Sequence, residues 1–191
     1  MKRDFVLACL GNWGKKYEKT RHNFGFILGE FIAKKLSEKF KDIDFGVFFK
    51  TKISGQQLYV FKGKTFMNLS GEPIRRFIDY FNLQNANLII AYDDITIPFG
   101  KIKIAQNGGA GGHKGVQSVI ENLGKDNIRM KLGIGKKRKD QNLAEFVLEE
   151  FSPEELEKLD KILDFAFSAI MTMISEGIEK AMSLYNHKSV I

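Results

Sequence analysis

Two short runs carry side chains that could activate a water molecule. One is T-R-H-N at residues 20–23, after a turn at residues 11–14, and the other is Y-D-D at residues 92–94, after an apolar stretch. Histidine is the usual general base because the unperturbed pKa of its side chain lies closest to neutrality. A carboxylate that accepts a hydrogen bond from one imidazole nitrogen leaves the other nitrogen free to take a proton. We therefore take His22 and Asp93 as the candidate catalytic pair.

Each of these residues also has an ordinary structural interpretation when considered alone. A histidine at the position of His22 can simply cap the start of a helix or lie in solvent. An aspartate at the position of Asp93 can simply cap the end of a strand. The sequence offers no H-E-x-x-H pair, no Cys/His zinc spacing and no G-x-S-x-G elbow. Residues 58–65 and 109–114 each lack one glycine of a phosphate-binding or dinucleotide loop. We therefore expect a site without a metal or a cofactor.

Hydrophobic periodicity predicts the elements that must position the pair. Alternating or continuous apolar runs predict strands at residues 5–10, 47–53, 58–61, 88–91, 101–105 and 130–134. Helical spacing predicts helices that begin near Asn23, at a Ser70 cap, after the glycine cluster and at a Ser152 capping box. The alternation predicts a single α/β domain over residues 1–191, with a mixed twisted sheet flanked by helices and a long C-terminal helix. Ligands of such sheets lie beyond the carboxyl ends of strands, so Asn12 and Asp93 could meet there.

Composition points to a polyanionic partner. The 191 residues carry a formal net charge of +7, and lysine and arginine are concentrated in residues 101–139. A basic face of this kind is expected to bind nucleic acid, although a lysine-rich surface also serves solubility. The single Cys9 excludes an internal disulfide. We see no signal peptide and no membrane-spanning run, and therefore expect a cytoplasmic protein with no membrane partner.

Three loops in a fixed order need a common explanation. Residues 9–25 follow G-L-G-N-P-G-x-x-Y-x-x-T-R-H-N-x-G except at Cys9 and Trp13, residues 65–71 match T-F-M-N-x-S-G, and residues 108–115 nearly match G-G-x-G-G-H-N-G. A D-D pair at residues 93–94 and a strand resembling R-x-R-I-G-I-G at residues 129–135 complete the series. This combination closely resembles the bacterial-type peptidyl-tRNA hydrolase family, over nearly the whole chain.

The resemblance implies hydrolysis of the ester that joins a peptide to the 3′-terminal ribose of tRNA. It assigns His22 as the general base for water and Asp93 as the residue that orients and stabilises the imidazole. The substrate-binding residues that it implies are Asn12, Tyr17, Met67, Asn68, His113 and Lys114. The acceptor arm of the tRNA is expected against Lys103, Arg129 and Lys131. It further implies a monomer that needs no metal and no cofactor.

Three departures from the family pattern matter, and a fourth, at Lys131, is milder. Trp13 replaces a proline, Thr96 replaces an acidic residue, and Lys131 replaces an arginine and so loses bidentate phosphate recognition. Lys114 stands where the family has an asparagine. A lysine there could contact the phosphate or ribose of the tRNA end, or lower the pKa of His22 by repulsion. It could also be an ordinary solvated lysine.

Two other functions fit part of the pattern. A non-catalytic RNA-binding protein on the same fold would keep the basic face. The intact His22–Asp93 pair argues against this alternative, and Lys114 leaves it open. A small-molecule ester hydrolase would use the pair but leaves the basic face unexplained. Turnover of an N-blocked aminoacyl-tRNA, with an uncharged small ester as the control, distinguishes these functions.

Overall fold

A seven-stranded mixed sheet forms the centre of the computed structural model, which describes residues 4–191. Its strands are β1 (Phe5–Cys9), β2 (Lys41–Ile43), β3 (Gly46–Ile53), β4 (Gln56–Gly63), β5 (Asn87–Asp94), β6 (Ile102–Gln106) and β7 (Ile128–Gly133). Their order across the sheet is β2-β3-β4-β1-β5-β7-β6. The four central strands β4, β1, β5 and β7 are parallel, while β2, β3 and β6 pair antiparallel at the two edges. The predicted mixed α/β sheet is confirmed.

Six α-helices are distinguished within the described residues. They are α1 (Phe24–Lys35), α2 (Gly71–Tyr80), α3 (Lys114–Leu123), α4 (Leu143–Leu148), α5 (Pro153–Glu176) and α6 (Ile178–Tyr185). Short 3₁₀ turns at Lys15–Tyr17, Arg21–Asn23 and Met67–Leu69 precede α1 and α2. The predicted long C-terminal helix is α5, and Gly177 separates it from α6. Across residues 4–191, every helix is too short or too polar to cross a membrane.

The alternating side chains of the central strands build two hydrophobic layers. In β1, Phe5, Leu7 and Cys9 pack on the face covered by α1, α5 and α6, whereas Val6 and Ala8 pack on the face covered by α2 and α3. Because both faces of the parallel strands are buried, these strands are apolar at almost every position. The two helical layers therefore leave only the ends of the central strands accessible.

The two predicted helix caps have different outcomes. Ser152 and Glu155 form the predicted capping box at the start of α5. Ser70 also precedes its helix, but its hydroxyl donates to the Met67 carbonyl at 2.7 Å instead of accepting from the first turn of α2. The prediction that Ser70 caps α2 is therefore wrong, since a preceding 3₁₀ turn offers the hydroxyl a closer acceptor.

Gly25 sets how closely α1 approaches the sheet. A Cβ atom at this position would lie 2.5 Å from the Leu10 carbonyl oxygen and closer still to the carbonyl oxygen of Ala91. Both carbonyls belong to backbone that cannot give way easily. Glycine therefore lets the start of α1 rest on β1 and β5, which places the turn that carries His22 over the carboxyl end of β5.

Candidate active site

The carboxylate of Asp93 lies between two imidazole rings at the end of β5. His22 Nδ1 is 3.0 Å from each oxygen of Asp93, and His113 Nε2 is 3.0 Å from Oδ1. Asp93 is 1% exposed, whereas both histidines are partly exposed. The fold thus brings together the two residues that the sequence selects as a pair, and it adds His113 to the same carboxylate.

The hydrogen bonds fix where each imidazole carries its proton. The Val116 N–H donates to His113 Nδ1 at 3.2 Å, so Nδ1 carries no proton and the Nε2–H group donates to Asp93. His22 donates to Asp93 through its Nδ1–H group, because an ionised carboxylate only accepts. The Nε2 atom of His22 therefore keeps the lone pair that a general base requires.

Asp93 remains ionised although it is buried. Burial alone would raise its pKa, but the charge and the hydrogen bond of His113, and then those of His22, outweigh burial and lower the pKa from 3.8 to about 2. The neighbouring Asp94 has separate partners, Thr96 and Lys131, which lower its pKa against the effect of burial. The strand end thus presents one carboxylate for the histidines and another that is held by a lysine.

A reciprocal pair of hydrogen bonds holds Asn12 beside this group. The Asn12 N–H donates to Asn23 Oδ1 at 2.8 Å, and Asn23 Nδ2 donates to the Asn12 carbonyl at 2.9 Å. The side-chain Oδ1 of Asn12 accepts from the Met67 N–H at 2.7 Å. That contact fixes the orientation of the amide, and its Nδ2 is the end that can donate to a substrate oxygen.

Met67 lies in the hydrophobic layer beneath the site and contacts it through Asn12. Its side chain is buried in the hydrophobic layer between the sheet, α2 and α3, where its sulfur lies against Gly115. Only its backbone N–H, through Asn12, reaches toward the predicted substrate. The family resemblance implies that Met67 binds substrate, but its side chain is buried, and the contact that it makes with the site is the hydrogen bond from its backbone N–H to Asn12.

Arg21 anchors the turn that carries His22. Its backbone N–H donates to the Glu149 carbonyl at 2.9 Å, and its guanidinium forms a 2.8 Å ion pair with Glu155. The guanidinium also lies over two phenylalanine rings of the C-terminal region. Arg21 is buried, so it holds the loop against α4 and α5 rather than meeting a ligand.

An aromatic group borders Asn12 on the side of β4. Tyr17 packs edge-to-face against the exposed Phe66, with ring centroids 6.3 Å apart. Trp13, which is 39% exposed, donates its backbone N–H to the Thr65 carbonyl at 2.9 Å. A proline has no N–H group and could not make this bond. Trp13 therefore adds a backbone hydrogen bond between the loops that follow β1 and β4.

Asn68 and Lys114 lie on the surface and line a common cavity of about 320 Å³. Its wall also includes the glycine loop and Glu121. The cavity is therefore adjacent to the group formed by His22, Asp93 and His113, because Lys114 directly follows His113. Among the described residues that line it, none is a histidine.

The three residues predicted to bind phosphates occupy different environments. Lys103 is exposed on β6 and is the cross-strand partner of Lys131 on β7. Lys131 is only half-buried and pairs with Asp94 at 3.1 Å. Arg129 is 1% exposed beneath the glycine loop and donates to the Gly108 carbonyl at 3.3 Å. The structure contradicts a direct phosphate contact by Arg129, because its guanidinium is covered.

The three side chains His22, Asp93 and His113 are also close enough to be considered as metal ligands, with ligand atoms within 4.8 Å of one another. The hydrogen bonds oppose this use. A metal on His113 Nε2 would move the proton to Nδ1, which would then face the Val116 N–H. Two donors cannot share one hydrogen bond. The donor set therefore fits a hydrogen-bonded proton-transfer group better than a metal site.

Three residues that build the site were missed as functional from sequence. Asn23 clamps Asn12, Arg21 anchors the turn and Gly25 sets the approach of α1. All three lie within residues 20–25, the run that supplied His22. The available sequence signal was the pair of polar residues, Arg21 and Asn23, on either side of His22. A general base needs a fixed backbone as well as a hydrogen-bond partner for its ring.

A buried carboxylate beside an imidazole at the open edge of an α/β sheet, with an amide donor nearby, is an arrangement typical of a hydrolase. The chain matches the family model described as peptidyl-tRNA hydrolase over residues 6–191. It belongs to the peptidyl-tRNA hydrolase family.

Individual relatives agree over almost the full length. The peptidyl-tRNA hydrolase of Thermodesulfovibrio yellowstonii is 41% identical over 184 residues, which cover 95% of this chain and 98% of that protein. The peptidyl-tRNA hydrolase of Fervidobacterium nodosum is 41% identical over 181 residues, 95% of each chain. The crystal structure of peptidyl-tRNA hydrolase from Acinetobacter baumannii superposes with a TM-score of 0.90 at 27% identity, covering 99% of this chain and 97% of that one.

Proposed function

We propose that this chain hydrolyses the ester bond between peptide and tRNA in peptidyl-tRNA, with His22 as the general base for water. The hydrogen bond from His22 Nδ1 to Asp93 carries the proposal, because it leaves Nε2 free to accept a proton. Asp93 is the orienting carboxylate, and its low pKa keeps it charged while the imidazole becomes cationic.

The proposed reaction needs only protein groups and water. His22 Nε2 takes one proton from a water molecule as the water oxygen attacks the ester carbonyl carbon. The Nδ2 group of Asn12 donates to the carbonyl oxygen as negative charge develops there. The carbon–oxygen bond to the 3′ ribose then breaks, and the imidazolium returns its proton to the ribose oxygen. The products are a free tRNA and a peptide carboxylic acid, which releases the second water proton to solvent and becomes a carboxylate.

We expect the tRNA acceptor arm to lie against Lys103 and Lys131, on the β6–β7 side of the site. These two cations are cross-strand neighbours, so they can contact consecutive phosphates. On the other side of the catalytic group, Asn12, Tyr17 and Asn68 are placed to contact the peptide and the 3′ end. We further propose that the protein acts as a monomer in the cytoplasm, where peptidyl-tRNA is produced.

A non-catalytic RNA-binding protein is the less favoured alternative. Phosphate binding does not require a buried, ionised carboxylate that holds an imidazole with its second nitrogen free. The His22–Asp93–His113 arrangement would then have no purpose, and a buried charge is retained only where its partners compensate for the cost of burial.

The test is turnover of N-acetyl-aminoacyl-tRNA by the native protein and by His22→Ala. We expect the substitution to lower kcat by about 10² to 10⁴ while tRNA affinity, measured by competition with deacylated tRNA, stays near native. His187→Ala is the matched control, because His187 is an exposed histidine near the C-terminus. Native-like turnover by His22→Ala would reject His22 as the base. No turnover by the native protein would favour the RNA-binding alternative.

A further inference from the structure

The cavity beside the catalytic group has an ordered charge distribution. Its residues come from the 3₁₀ turn after β4, from the glycine loop and from α3, and the polar ones are Asn68, Lys114, Gln117, Ser118 and Glu121. Its volume of about 320 Å³ lies at the lower end of the range for small-ligand sites, about 300–1,000 Å³. It is open to solvent, and the charged residues that line it are themselves exposed.

The two charges lie at opposite ends along α3. Lys114 is the first residue of the helix and directly follows His113, whose ring contacts Asp93. Glu121 is seven residues later, two helical turns away, about 10.5 Å along the axis at about 1.5 Å per residue. The positive end of the cavity is therefore next to His113 and the catalytic group, and the negative end is remote from them.

The polar groups between the ends are already oriented. Gln117 Nε2 donates to Glu121 Oε1 at 2.8 Å, which holds the carboxylate along the helix and leaves its second oxygen available. The Ser118 hydroxyl accepts from the Gly71 N–H at 3.0 Å, so it ties α3 to α2. Lys114 and Glu121 are thus the two groups whose charge a ligand in this cavity meets.

We propose that this cavity binds the peptide part of the substrate and makes the enzyme charge-selective, with Lys114 favouring a carboxylate side chain on the residue esterified to the tRNA. This inference rests on the proposed hydrolysis of peptidyl-tRNA. A flexible ammonium group at the ester end attracts an acidic side chain and repels a basic one, and a neutral asparagine at this position would do neither.

Glu121 has the complementary effect further along the peptide. An extended chain advances about 3.3–3.6 Å per residue, so about 10.5 Å corresponds to roughly three residues. A cationic side chain about three residues from the ester would meet the Glu121 carboxylate. The cavity therefore favours a peptide that carries an acidic side chain near the ester and a basic side chain about three residues further away.

The test uses one tRNA body esterified with N-acetyl-Glu, N-acetyl-Gln or N-acetyl-Lys, so that contacts with the RNA are identical. For the native protein we expect kcat/KM to fall in the order Glu, Gln, Lys, with steps of about two- to fivefold, the size of an exposed ion pair. Lys114→Gln should remove the order, and Lys114→Glu should reverse it. Lys103→Gln is the control and should change all three substrates by the same factor.

A second substrate pair tests the remote end. Tetrapeptidyl-tRNAs that carry Lys or Gln three residues from the ester should differ by about twofold or more with the native protein and not with Glu121→Gln. An unchanged Glu-to-Lys ratio in Lys114→Gln would overturn the inference while leaving the hydrolase assignment intact. Absence of hydrolysis for every substrate would instead reject the proposed function itself.

Discussion

His22 and His113 face each other across a single carboxylate, with ring centroids 5.1 Å apart and one nitrogen of each ring 3.0 Å from Asp93. The two rings are not equivalent. His113 is locked by Val116 as the Nε2–H tautomer, whereas His22 has a free nitrogen at the open side. One histidine can therefore exchange a proton with water, and the other can hold the carboxylate that supports it.

This relationship predicts that His113 is a positioning residue for Asp93. His113→Ala should lower kcat by about ten- to a hundredfold, the effect of losing a hydrogen bond to a charged group, with KM little changed. His113→Asn is the matched control, because asparagine restores the cap of α3 but is too short to reach Asp93. Both variants should lose kcat and some thermal stability, because both leave Asp93 without one hydrogen-bond donor, and His113→Ala should lose more stability because it also lacks the cap of α3. A rise in KM alone would return His113 to the substrate-binding role that the family resemblance implies.

Asp93 should make the free energy of unfolding depend on pH in the acid range. Its pKa is about 2 in the folded state and 3.8 without the fold, so the folded state binds fewer protons between these values. The stabilisation is complete above about pH 4 and is lost as the pH falls toward 2, and it amounts to something on the order of 2 kcal/mol. Urea unfolding should show that the stability gap between the native protein and Asp93→Asn narrows over this range. The exposed Asp44→Asn variant provides the baseline, and a gap independent of pH would contradict the assignment.

The sequence could predict the catalytic pair because both partners follow recognisable runs at the ends of elements. Continuous apolar runs also predict the central strands of the sheet, since both faces of these parallel strands are buried. The contact of His113 with Asp93 could not be predicted, because it depends on how a glycine-rich loop folds back over β5. Glycines give that loop freedom, and sequence periodicity says nothing about the path it takes.

Arg129 shows a second limit of sequence patterns. It alternates with Met130 in β7 and shares a face with Lys131, so the pattern predicts a basic exposed face. The glycine loop covers the end of this face, and Arg129 lies beneath Gly108 while Lys131 remains partly accessible. Alternation identifies which face a side chain occupies, but it cannot identify which loop crosses that face.

The basic pair on β6 and β7 should control the salt dependence of substrate binding. Lys103→Gln and Lys131→Gln should each raise KM for N-acetyl-aminoacyl-tRNA and reduce the slope of log affinity against log salt by roughly one unit. Lys50→Gln, an exposed lysine on β3 near the opposite edge of the sheet, should leave the slope unchanged. If neither β6 nor β7 variant alters the slope, the RNA lies elsewhere on the protein.

Gly25→Ala tests whether the approach of α1 to the sheet sets the position of His22. Helix propensity alone would make alanine more stable than glycine by up to about 1 kcal/mol. The contacts predict the opposite sign, because the new methyl group would collide with the carbonyl oxygens of Leu10 and Ala91. We expect reduced stability in urea and a loss of kcat of up to about a hundredfold, since a displacement of about 1 Å can cost that much.

The matched control lies one turn further along the same helix. At Gly29 an added Cβ would lie 3.1 Å from the Cys9 sulfur, a side-chain atom that can shift. Gly29→Ala should therefore cost less stability than Gly25→Ala and should leave kcat near native, because it is further from the turn at residues 21–23. Equal losses in both variants would mean that the whole helix, rather than its first turn, determines where His22 lies. Native activity with increased stability in Gly25→Ala would refute the close-approach argument.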